Sequence, residues 1–92
     1  MKKERPGELR MRVAENLKTA RQLSRLTQLE LAELADLHLT AVQKFERLIN
    51  APTVDSVQAL ANALRLPPHV LFLEPKEALI QMTTLLPSSK AP

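Results

Sequence analysis

Thr27 stands three residues before Glu30 in the stretch LTQLELAELADLHLTAVQKFERL, residues 26–48. A threonine hydroxyl at this spacing accepts from the N–H of residue 30, and the glutamate carboxylate reaches back to the N–H of residue 27, so the pair caps a helix that begins at residue 28. Further along, Leu39, Thr40, Gln43, Lys44 and Arg47 share one face of a helical turn pattern, opposite Val42 and Phe45. Hydroxyl, amide, ammonium and guanidinium groups on one helical face make hydrogen bonds to a partner; they do not break covalent bonds.

Residues for bond-breaking chemistry are missing from the pattern. No nucleophile accompanies a base, no paired carboxylates share a helical face, and no glycine-rich phosphate loop is present, which argues against an enzyme. Cysteine is absent, so disulfides and thiolate metal sites are impossible, and His38 and His69 lie far apart in sequence without a carboxylate cluster nearby. No metal or cofactor is expected.

Charge is distributed unevenly. Of 13 basic residues, eight (Lys2, Lys3, Arg5, Arg10, Arg12, Lys18, Arg21 and Arg25) fall in the first 25 positions, against three acids, Glu4, Glu8 and Glu15. A basic end of this kind suits a polyanion, and it also suits a solvated, solubilising tail. The first ten residues, MKKERPGELR, are charged with no apolar run behind them, and no segment approaches the ~20 apolar residues of a membrane span. The expectation is a cytoplasmic chain without membrane contact.

The elements that must hold these side chains are helical. With 92 residues, 45% apolar, the chain suffices for one core. Two phenylalanines, no tyrosine or tryptophan and one glycine favour aliphatic helices over a sheet, making the fold class all-α. Pro6 and Gly7 end a basic arm at residues 1–7. Helix one follows at about 8–24, with Leu9, Val13, Leu17 and Ala20 recurring at helical spacing. Helix two spans 28 to about 35 and stops at Asp36, a residue that tolerates a left-handed backbone. Helix three covers about 39–47 with His38 as its cap and Val42, Phe45 and Ile49 facing inward.

Thr53 caps helix four, whose apolar face is Val54, Val57, Leu60, Ala61 and Leu64. Pro67 and Pro68 open a short fifth helix, and Pro75 opens a sixth, KEALIQMTTLL, which Pro87 ends. The domain proper is thus expected at 8–73, a C-terminal helix at 74–87, and a disordered tail at 88–92.

Two short helices joined by a three-residue turn form a helix-turn-helix, in which the first helix braces the DNA backbone and the second enters the major groove. The specific residues go further. Arg21, the run Thr27, Gln28, Glu30, Leu31 and Ala32, then Glu46, Pro52 six residues later, and Leu60, Ala61, Ala63 and Leu64 resemble the phage-repressor and Cro-like regulators, the XRE family, over residues 17–72. The resemblance implies a five-helix repressor-like domain, here with an added C-terminal helix.

It also implies roles. Arg21 should pair with Glu46 and lock the recognition helix to the scaffold. Gln28 matches a position that touches a DNA phosphate. Leu39, Thr40 and Lys44 fall where base edges are read: Lys44 can donate to guanine, Gln43 to adenine or a phosphate, and Leu39 or Thr40 can pack on a thymine methyl, with Arg47 on the same face. The chain departs from the family by carrying Arg25, Asp36 and Leu48 where glycine is usual, and its loop Leu48, Ile49, Asn50, Ala51 has none of the basic residues common there.

Regulators of this kind pair to read two half-sites, and small relatives use a C-terminal helix for pairing. Leu79, Ile80, Met82 and Leu86 are the candidate dimer contacts, with packing onto the chain's own core as the alternative. The resulting expectation is a homodimeric regulator binding double-stranded DNA. Two other readings stay open: an antitoxin whose C-terminal segment covers a toxin, and a protein-interaction module that has kept the fold and lost DNA binding.

Overall fold

The computed structural model describes residues 7–86. The chain forms α1 (Glu8–Leu23), α2 (Gln28–Ala35), α3 (Leu39–Glu46), α4 (Val54–Leu64), one 3-10 turn (Pro68–Phe72) and α5 (Pro75–Leu85). The fold is all-helical, as the periodicities require. The basic arm, apart from Gly7, and the C-terminal tail lie outside the described residues.

The starts of α2 and α4 follow from local chemistry. The Thr27 hydroxyl accepts from the Glu30 N–H at 3.0 Å and the Thr27 N–H donates to the Glu30 carboxylate at 2.9 Å, completing the capping box. Thr53 accepts from the Ser56 N–H at 3.0 Å. His38 occupies the N-cap position of α3 without a side-chain cap bond.

The helix ends share one device. Arg25, Asp36, Leu48 and Arg65 have φ values of 58°, 56°, 63° and 59°, each just past the end of a helix. At each end the following N–H reaches back over the last turn: Leu26 to Arg21, Leu37 to Ala32, Ile49 to Lys44 and Leu66 to Ala61. These are Schellman closures, in which a left-handed residue lets otherwise orphaned carbonyls be satisfied. Glycine normally fills that position, but the chain's one glycine is Gly7. Four side-chain-bearing residues therefore carry the conformational cost. The motif's apolar residue packs against the core at Leu26 and Leu37 and is itself buried at Leu66.

The core gathers Leu17 and Ala20 of α1, Leu31, Ala32 and Ala35 of α2, Val42 and Phe45 of α3, Leu60 and Leu64 of α4, Val70 of the 3-10 turn, and Ala78, Met82 and Leu86 of the C-terminal segment. Ala32 is almost completely buried, the small side chain that lets α3 cross α2 closely. The C-terminal helix is thus part of the same core and not a separate unit.

Several sequence expectations are corrected. Met82 and Leu86 are buried in the chain's own core and cannot serve a dimer contact; Leu79 and Ile80, on the other side of α5, stay exposed. The short fifth helix is present, in 3-10 form. Pro67 and Pro68 supply no N–H, the Val70 N–H bonds to the Pro67 carbonyl three residues back, and Pro75 soon restarts the chain. Ile49 is 58% exposed because the Schellman bend at Leu48 ends the helical period before it. Val54, at the first position of α4, is 84% exposed, and Leu9 in the first turn of α1 is 49% exposed.

Asn16 supplies an unexpected tie. Its side chain is buried in the apolar face of α1, where its amide donates to the carbonyls of Leu71 at 3.0 Å and Leu73 at 2.8 Å. Arg12, one turn earlier, donates to the Phe72 carbonyl at 3.3 Å. Together they fasten the 3-10 turn to α1, so its irregular backbone is satisfied inside the protein. A polar residue within the Val13, Leu17, Ala20 stripe was the signal available in the sequence.

Candidate nucleic-acid interface

The scaffold and the outward helix meet at Arg21. From the last turn of α1 its Nε donates to Glu46 Oε2 at 2.8 Å and its Nη2 to Glu46 Oε1 at 3.1 Å, a bidentate pair with the end of α3. Its Nη1 donates to the Leu26 carbonyl at 2.9 Å, in the turn before α2. Gln28, at the first position of α2, donates its amide to Glu46 Oε1 at 3.0 Å. Four segments of the chain therefore converge on one carboxylate and one guanidinium.

This cluster sits within the protein: the side chains of Arg21 and Glu46 are 13% and 4% exposed. Dehydrating both charges is costly, so the net gain in stability over an apolar pair is small; what the planar, two-bond geometry supplies is orientation. A rotation of α3 about its own axis would break both bonds to Arg21 at once. The pair thus sets which face of α3 is turned outward.

Gln28 has a partner within the protein that the sequence did not name. One amide proton is engaged by Glu46; the second proton, and the N–H groups of Gln28 and Leu29 at the start of α2, have no partner among the described residues and are donors of the kind that meet an anion. Glu30 closes the box behind them. The residue therefore couples the start of α2 to the end of α3.

On α3, Val42 and Phe45 are buried and Ala41 packs against the core. The opposite side presents Thr40, Lys44 and Arg47, all exposed, with Leu39 and Gln43 half-buried beside them. All five residues proposed from the sequence for this helix thus lie together on one surface or at its edge. Among the described residues, no hydrogen bond or ion pair engages the side chains of Thr40, Gln43, Lys44 or Arg47. Lys44 and Arg47 place two positive charges, unpaired among the described residues, on a helix already anchored from behind. An eight-residue helix with polar groups along its outer face is an element of the kind that a B-DNA major groove admits.

The loop after α3 is different in character. Leu48 and Ile49 are 40% and 58% exposed, and no charged residue occurs between Leu48 and Val54. The polar side chains of this loop are those of Asn50 and Thr53.

Comparison with known proteins agrees with the geometry. A family model described as helix-turn-helix matches residues 17–71. The chain is similar in structure to a hypothetical transcription factor from Neisseria, NHTF, with a TM-score of 0.74 and 28% sequence identity over 87% of this chain and 92% of that one. No curated protein matches the chain.

Proposed function

This chain belongs to the XRE-like helix-turn-helix family and is a DNA-binding regulator, and from that premise we propose that it reads an operator of two half-sites as a homodimer, in the cytoplasm, through the major groove. The observation that carries the reading is the outer face of α3, whose four polar side chains are unengaged among the described residues while its inner end is locked by Arg21 and Glu46.

Roles follow from the chemistry of the side chains. Lys44 donates to guanine O6 and N7, Thr40 and Leu39 pack on a thymine methyl, Gln43 bonds adenine or a phosphate, and Arg47 grips the backbone near the end of the helix. Gln28 and the first N–H groups of α2 hold the phosphate that fixes the register. No catalysis is assigned to the chain. Among the described residues no helix is long and apolar enough to cross a membrane.

Selection of bound sequences from a random duplex pool tests the proposal. The expected product is an inverted repeat whose half-sites lie about 10 base pairs apart, centre to centre. Recovery of no enriched motif would favour the interaction-module reading. The antitoxin reading assigns the C-terminal segment to a toxin; among the described residues of that segment, Met82 and Leu86 are in the core and Leu79, Ile80 and Leu85 are the exposed large apolar side chains.

A further inference from the structure

Of the four left-handed residues, Arg25 stands nearest in sequence to the start of α2, three positions before Gln28. That spacing puts the two Cα atoms no more than about 11 Å apart. The Arg25 N–H donates to the Gln22 carbonyl at 3.0 Å, the Leu26 N–H to the Arg21 carbonyl at 3.1 Å, and the Leu26 carbonyl accepts from Arg21 Nη1 at 2.9 Å. The turn that carries Arg25 is therefore held by the same guanidinium that holds the end of α3. The Arg25 side chain is exposed, and among the described residues no hydrogen bond or ion pair engages it.

Nothing local accounts for an arginine here. At φ 58° glycine would form the same turn with less strain. A cation just past a helix end gains from the dipole of that helix, and this suffices for Arg65 at the end of α4. At Arg25 a second effect opposes the first, because the N-terminus of α2 follows within three residues and its dipole disfavours a cation. An anion at the start of α2 reverses that sign: the guanidinium, the first N–H groups of the helix and the Gln28 amide all attract it. The loop beyond α3 supplies no such charge, since residues 48–54 carry none.

We propose, resting on the reading of the start of α2 as a phosphate site, that Arg25 grips the DNA backbone beside Gln28 and supplies the charge that the loop after α3 lacks. The test measures affinity for a random-sequence duplex against salt concentration, with Arg25→Gly, Arg25→Lys, Arg65→Gly and Gln28→Ala beside the wild type. Arg25→Gly is expected to raise the denaturation midpoint, by relief of the left-handed strain, and yet to weaken binding about tenfold at about 50 mM salt. The slope of log affinity against log salt should fall by about 0.9, the loss of one phosphate contact. Arg25→Lys keeps the charge and should keep the slope. Arg65→Gly relieves the same strain and removes the same charge at the far end of α4, and should leave the slope unaltered. An unchanged slope in Arg25→Gly would overturn the proposal, and so would an equal fall in Arg65→Gly, which would make the effect one of net charge. Gln28→Ala binding as tightly as the wild type would instead overturn the phosphate reading of α2 beneath it.

Discussion

Glu46→Ala tests the lock behind the reading helix. The substitution removes both acceptors of Arg21, at 2.8 and 3.1 Å, and the acceptor of Gln28 at 3.0 Å, while the Arg21 bond to the Leu26 carbonyl at 2.9 Å survives. With its side chain 13% exposed, the guanidinium is left largely dehydrated and without its counter-charge. Breaking a buried pair from one side costs about 3–5 kcal/mol. The surviving bond and the residual exposure place this case near the lower end, about 3 kcal/mol. Arg21→Met strands the carboxylate and should cost a similar amount. In the double variant, Arg21→Met with Glu46→Leu, both desolvation costs vanish and the main loss is the bond to the Leu26 carbonyl, about 1 kcal/mol. The single losses therefore sum to far more than the double loss. Denaturant unfolding of the four proteins gives the coupling energy, provided the slope with denaturant stays constant across the set. Losses additive to within about 0.5 kcal/mol would refute the reasoning and would make the two charges independent.

Lys44→Ala should weaken specific binding by about 1–3 kcal/mol and relax the preference at one base of each half-site, with helical content unchanged; uniform weakening over all sequences would make Lys44 a phosphate contact instead. Leu48→Gly should stabilise the protein by about 1 kcal/mol, read as a higher denaturation midpoint, because relief of the left-handed strain at φ 63° outweighs the packing of a leucine that is already 40% exposed. A lower midpoint would mean that the Leu48 side chain contributes packing that exceeds its backbone strain. Asn16→Leu should cost about 2 kcal/mol or more, since the carbonyls of Leu71 and Leu73 lose their donor where water has little access. Unaltered stability would show that solvent replaces the amide.

Much of the architecture is written locally. Thr27 and Glu30, Thr53, and the prolines at 67, 68 and 75 act on backbone groups within one turn of themselves, so the starts of α2 and α4 could be placed from residue types and spacing. The placement of Asp36 at a left-handed stop is equally local. The pairing of Arg21 with Glu46 came from resemblance to a known family, because nothing in either residue's neighbourhood names a partner 25 positions away.

The tertiary structure decided what depends on such distant neighbours. On α5, Leu79, Ile80, Met82 and Leu86 are equally apolar, and only the packing of α1 and the 3-10 turn against the helix selects Met82 and Leu86 for the core. Periodicity gave Ile49 and Val54 inward positions, yet a Schellman bend turned one outward and the other projects from the first turn of its helix. The sequence pointed Gln28 only toward a DNA phosphate, by resemblance; its bond to Glu46 at 3.0 Å exists because the fold brings the end of α3 alongside. Asn16 reaches carbonyls 55 and 57 residues away, where the 3-10 turn had left them without helical partners. Caps and turns answer to adjacent residues, so they can be read along the chain; burial and hydrogen-bond partners answer to whatever the folded chain brings alongside, which no local spacing records.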